Sequence, residues 1–175
     1  MRTIALLAGA VLAIGPALAA QTEQPGHSKE SQLTMIEYQR KLLLAMADSM
    51  PERLYRDKAT PAQRDFAQQV HHAASSAAYI ASTMKGPAMK LPDTTATFAS
   101  RQGLEAYING AFDYTEGVFK AQTTAVRTAP GKLFGRAMPT WQIWDEIYTH
   151  TLWTAGQIVA NFRKNGMAPP AFTFF

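Results

Sequence analysis

The chain contains no cysteine. No disulfide can staple the fold, and no thiol is available for catalysis or for holding a soft metal. After its first twenty residues it has no apolar run of the ~20 residues needed to cross a bilayer, so the mature chain is not expected to span a membrane. A basic stripe is missing too. The net charge of +4 is scattered over Arg40-Lys41, Arg53, Arg56, Lys58, Arg127, Lys132, Arg136 and Arg163-Lys164, with no interleaved stacking aromatics. That pattern argues against a nucleic-acid partner. There is no internal repeat and no low-complexity segment. No stretch of useful length alternates apolar and polar residues with the period of a strand.

The first twenty residues, MRTIALLAGAVLAIGPALAA, carry the features of a secretory signal. Arg2 gives a positive start, Ile4 to Ile14 an apolar centre, and Ala17-Leu18-Ala19 a small-x-small cleavage site. The sequence therefore predicts export, to the periplasm or outside the cell, with one positive charge lost when Arg2 leaves. Residues 21–32, QTEQPGHSKESQ, are polar and contain Pro25 and Gly26, which predicts a flexible lead-in. Residues 33–175 then form one domain, whose core must stand without disulfides; a composition of 47% hydrophobic residues can supply it.

Helical spacing recurs four times. A first helix is expected from Leu33 to Ser49, stopped by Pro51. A second is expected to start at Thr60-Pro61, with Thr60 as cap and Gln63 in the capping-box position, and to run to Gly86-Pro87. Phe66, Val70, Ala73, Ala77, Ile80 and Met84 form its apolar stripe. After a connector with two prolines, Ser100 caps a third helix expected over Arg101 to Val126. Gly103, Gly110 and Gly117 lie seven apart in it, which predicts a closely approaching neighbour helix. Residues 127–139 read as a loop. The fourth helix, Trp141 to Asn165, ends at Gly166 after Arg163 and Lys164. Four such helices predict an all-α fold, an antiparallel four-helix bundle.

Histidine is scarce: His27, His71, His72 and His150. His27 falls in the lead-in and is set aside. His71 and His72 are adjacent on a helix and point about 100° apart; His72 is nearer the apolar stripe. On the fourth helix, Ile143, Ile147, His150, Thr154 and Ile158 share one row, with Glu146, His150 and Thr154 four apart. An inward imidazole from each helix can meet near the bundle axis and offer two nitrogens to a divalent transition metal. Glu146 or the weaker Thr154 hydroxyl are the candidates for a third ligand. Buried, hydrogen-bonded histidines fit the same spacing.

The segments DFAQQVHHA and THTLWTAGQIVANFRKNGMAPP resemble the DinB/YfiT-like superfamily of metal-dependent helical bundles. Its members carry Ser/Thr-Phe-x-x-x-x-x-His in the second helix, then His-x-x-His-His-Arg-Gly-Gln and a Tyr-Leu-Arg-x-Asn-Gly-x-x-Pro-Pro ending in the fourth. Phe66, His72, His150, Gly156-Gln157, Phe162-Arg163, Asn165-Gly166 and Pro169-Pro170 match. The resemblance implies the bundle fold and a metal, zinc or nickel, held by three histidines. Two of those positions are His72 and His150; the third is Thr154. Trp153 and Ala155 also depart from the pattern.

The expected function is thus an exported bundle with a degenerate metal site that binds a small molecule or a protein partner without catalysis. Trp141, Trp144, Trp153 and the AFTFF ending could line a pocket or a face for a second copy of the chain. The alternative is a divalent-metal-dependent transferase or hydrolase using His72 and His150, with Glu146 as third ligand or general base. Glu37, Asp113 and Glu116 are further acidic groups that could complete the sphere.

Overall fold

The computed structural model describes residues 27–84, 86–94 and 97–171. Residues 1–20, where a signal is expected, most of the expected lead-in and residues 172–175 of the AFTFF ending lie outside them. The described residues are all-α apart from a small hairpin: α1 (Lys29–Ser49), α2 (Phe66–Ser82), α3 (Arg101–Ala121), a short α4 (Thr124–Thr128), strands β1 (Pro130–Leu133) and β2 (Arg136–Pro139), and α5 (Thr140–Lys164). No described helix is long and apolar enough to cross a membrane.

Four helices pack around one core, and their directions follow from the side-chain pairs. α2 and α5 run in opposite senses, since Gln69 meets Gln157 and His72 meets His150. α1 and α3 are also opposed, with Arg40 on Asp113 and Arg101 on Asp48. α2 and α3, however, run the same way: His71 touches Tyr107, and Met84 lies against Gln122. The bundle therefore mixes opposed and parallel neighbours, where a uniformly antiparallel order was expected. The chain must travel back along the length of α2 before α3 begins. The proline-containing connector after α2 makes that return, which a short turn could not.

Several boundaries differ from those expected. α1 starts at Lys29 because the Ser28 side chain accepts from the Ser31 N–H, and Gln32, assigned to the flexible lead-in, is buried. α2 starts at Phe66, not Pro61. Asp65 accepts from the Gln68 N–H while the Gln68 side chain accepts from the Asp65 N–H, a complete capping box five residues beyond the Thr60 one expected. α3 stops at Ala121, because Gln122 turns to an extended conformation and Thr123 caps α4 with a bond from the Val126 N–H. The expected loop at 127–139 is an antiparallel hairpin pairing Gly131 with Met138 and Lys132 with Ala137. Its strands have four residues each, too few to show alternation. Ser100 caps α3 as expected. α5 ends with Gly166 at φ 68°, its left-handed turn letting Met167 N–H reach Phe162 O at 2.9 Å.

One clasp fixes the far end of α5. Asp57, in the loop after α1, accepts from Lys164 Nζ at 2.7 Å and Asn165 Nδ2 at 2.8 Å, and its backbone carbonyl accepts from Asn161 Nδ2 and Phe66 N–H. Those side-chain bonds hold its carboxyl below the usual value. Phe66 and Phe162 then meet edge-on at 5.8 Å beneath the clasp.

The α3 glycines do not act as one set. A Cβ on Gly110 would lie 2.7 Å from Pro92 Cδ, so the close neighbour there is the connector, not a helix; at Gly117 nothing lies within 4 Å. Gly117→Ala is expected to raise stability by about 1 kcal/mol through helix propensity. Gly110→Ala is expected to lose that gain to the rigid proline ring and lower the urea midpoint. Urea unfolding of the two variants checks the contrast, which disappears if both shift alike.

Candidate functional site

The two imidazoles expected to meet do meet. His72 on α2 and His150 on α5 have ring centroids 5.1 Å apart with planes at 76°. Two features of the helices bring them there. α2 presents buried Ala73, Ala74, Ala77 and Ala78, short side chains that allow a neighbour to approach closely. α5 buries Ile143, Ile147, Thr154 and Ile158 along the row that contains His150. Both histidines are half-buried, so the pair lies in a groove between the helices and not on the sealed axis expected for it.

His71 points elsewhere, as its position one residue away requires. Its ring packs 4.3 Å from Tyr107 and 5.1 Å from Phe98, on the α3 side of α2. His27, set aside as part of the lead-in, is also placed: its ring lies 4.2 Å from Trp141, and Nδ1 is 3.2 Å from Asp145 Oδ2. It stands against the start of α5, away from the pair. The signal that could have found it is local. Ser28 is a helix cap, and a Ser followed by Lys-Glu-Ser-Gln could have been read as one.

Around the pair, polar groups are few. His72 Nδ1 is 3.4 Å from Ser76 Oγ, a long contact, and His150 Nδ1 is buried with no hydrogen-bond partner among the described residues. Further along α5, Gln157 Oε1 accepts from Gln69 Nε2 at 2.8 Å, tying the groove across α2 and α5. Thr154, at the third position of the family pattern, is 1% exposed and turned into the core. Burial, first, lowers the pKa of both histidines; the Arg64 guanidinium adds to the shift at each ring, and the neighbouring histidines add to it at His72. No carboxylate offsets these effects at either ring. The imidazoles are neutral at pH 7.

Neutral imidazoles at this spacing can share a transition-metal ion through bonds of about 2.1 Å. A catalytic zinc takes three protein ligands, and the donor set stops at two. Among the described residues no group of three His, Cys, Asp or Glu side chains could hold a metal ion. Glu146 therefore does not join His72 and His150. The acidic groups on the other helices do not supply the missing ligand either, because Asp113 and Glu116 pair with Arg40, and Glu37 is exposed. The residues do not fit a three-ligand metal site. The tryptophans likewise separate, with Trp144 buried, Trp141 half-buried and Trp153 74% exposed.

No protein-family profile and no curated protein matches the chain. Among solved structures, a DinB-like protein from Bacillus cereus ATCC 10987 superposes with a TM-score of 0.64 over 82% of this chain and 97% of that one, at 17% identity. The chain shares its fold.

The lowered pKa values carry a sign. The folded protein binds a proton at His72 and His150 less readily than the unfolded chain, whose histidines titrate near 6.5. The stability linked to these rings is complete above that value and is lost as the pH falls through the lower folded values. The difference in urea-unfolding free energy between the wild type and the His72→Gln/His150→Gln protein is therefore expected to shrink from pH 8 to pH 5. A difference that holds constant or grows would mean the rings are not kept neutral.

Proposed function

We propose that the chain is an exported member of the DinB/YfiT-like group, a four-helix bundle whose metal site has lost its third ligand and which binds its target without catalysis. The observation that carries this reading is the pairing of His72 with His150 at 5.1 Å while the third position holds a buried threonine. The fold likeness and the matched motif residues support the family. The export signal rests on residues 1–20 alone.

The chemistry of the groove supports a bound molecule better than a resident ion. Two imidazoles are one donor short of the three protein ligands that a resident catalytic zinc takes. The unpartnered His150 Nδ1 is a buried polar atom in want of a hydrogen bond, and a ligand can supply one. A small molecule or a side chain of a partner protein would both meet that need.

A second reading stands on the same spacing. Two neutral imidazoles could hold zinc or nickel if a substrate or water filled the remaining positions, giving a metal-dependent transferase or hydrolase. Titration with zinc and nickel by calorimetry separates the two. The binding reading expects weak uptake by the wild type and at least tenfold tighter binding by Thr154→His, which restores the missing donor, with circular dichroism confirming its fold. Stoichiometric, tight uptake by the wild type that His72→Ala abolishes would give the case to the metal enzyme.

A further inference from the structure

Some distance from the histidine pair, about 16 Å further along α2 at 1.5 Å per residue, the end of that helix, the corner between α3 and α4, the hairpin and the start of α5 enclose a cavity of about 300 Å³. That size is at the low end of the range for small-molecule sites. Met84, Val126, Ala129 and Ile143 give it an apolar wall, and Gln122 and Lys132 supply hydrogen-bond donors.

Gln122 is the informative residue. It is 3% exposed, and its Oε1 accepts from Trp144 Nε1 at 3.0 Å. An indole nitrogen only donates, so this bond fixes which end of the amide faces tryptophan. Nε2 must face the other way, where its contact is Met84 Sδ at 3.6 Å. A thioether is a weak acceptor. A buried amide N–H held beside one keeps most of its capacity for an oxygen. Lys132, an exposed residue of β1, borders the same space and makes no ion pair among the described residues.

The hairpin wall is held in place. Phe134 and Gly135, at the tip, have φ of 47° and 84°, and positive φ is costly for phenylalanine. Its ring, 75% exposed, stacks on Tyr79 of α2 with centroids 6.2 Å apart and planes at 18°. At the base, Thr140 Oγ1 and N–H both donate to Ala129 O. The cavity is thus formed before anything enters it.

We propose that this cavity is a binding site for a small apolar monocarboxylate. The acid group accepts from Gln122 Nε2 and the Lys132 ammonium, and the hydrocarbon body lies against Met84, Val126, Ala129 and Ile143. The site is independent of the function proposed for the histidine groove, and neither inference fails with the other.

Octanoate is the probe, with octanol as its uncharged counterpart, followed through the Trp144 indole N–H and the amides of residues 129–132 in ¹H–¹⁵N spectra. The expected result is a saturable one-to-one shift by octanoate, with octanol at least tenfold weaker. Lys132→Glu should weaken octanoate tenfold or more and leave octanol unchanged. Val126→Trp, a change at the exposed rim that fills the mouth without disturbing the core, should block both. The proposal is overturned by a non-saturating response, by octanol binding as tightly as octanoate, or by octanoate binding that survives either substitution in a folded protein.

Discussion

The arrangement depends on how closely α2 can approach its neighbours. Ala67, Ala73, Ala74, Ala77, Ala78 and Ala81 are all fully or almost fully buried, so much of the helix's packing surface is made of methyl groups. Short side chains bring helix axes toward the lower end of the usual 8–10 Å separation. Only then can half-buried residues at the edges of α2 touch helices on both sides. His71 reaches the aromatic rings by α3, and His72 reaches His150 on α5. A leucine at Ala73 or Ala77 would push the helices apart and part the two imidazoles without touching either one.

Motif residues that look alike in sequence divide in space between holding the fold and furnishing the groove. Phe66 and Phe162 pack against each other under the Asp57 clasp, and Asn165 is part of that clasp. Gly166 supplies the left-handed turn that ends α5, and Gln157 braces α2 through Gln69. Only His72 and His150 bring chemistry. Much of what makes the C-terminal segment resemble the DinB/YfiT-like pattern is therefore the means of ending α5 and fastening it to the α1–α2 loop. Such residues can persist whether or not an ion is bound, and this is why a motif match gives the fold more securely than the activity.

The sequence was most legible where periodicity and position on a helix decide the outcome. The buried row of α5, the divergent directions of His71 and His72, and the Ser100 cap all follow from 3.6-residue spacing and local capping. Less legible were features set by tertiary competition. Two capping boxes were available before α2, and Asp65 prevailed over Thr60 where the Phe66 N–H bonds to Asp57 O. The break between α3 and α4 falls at Gln122, whose side chain is engaged by Trp144, a contact 22 residues away. The parallel course of α2 and α3 was hidden because nothing in a connector's composition states how far it travels. The depth of the histidine pair was missed for a related reason: helical spacing gives direction around an axis, and burial depends on how close the next axis lies.

Threonine at the third position of the resembled pattern bears on the character of the groove as well as on its count of possible ligands. Burial lowers the pKa of both rings, and the exposed Arg64 guanidinium adds to that shift. A half-buried groove with neutral nitrogens and one unpartnered Nδ1 is matched to a guest bearing a hydrogen-bonding group. Thr154 fits that outcome from the inside: its short side chain lies in the core beside Ala155 and Ile158, where an imidazole would have had to be hydrogen-bonded or coordinated. At this position threonine offers only a weak metal ligand and leaves no imidazole stranded in the core.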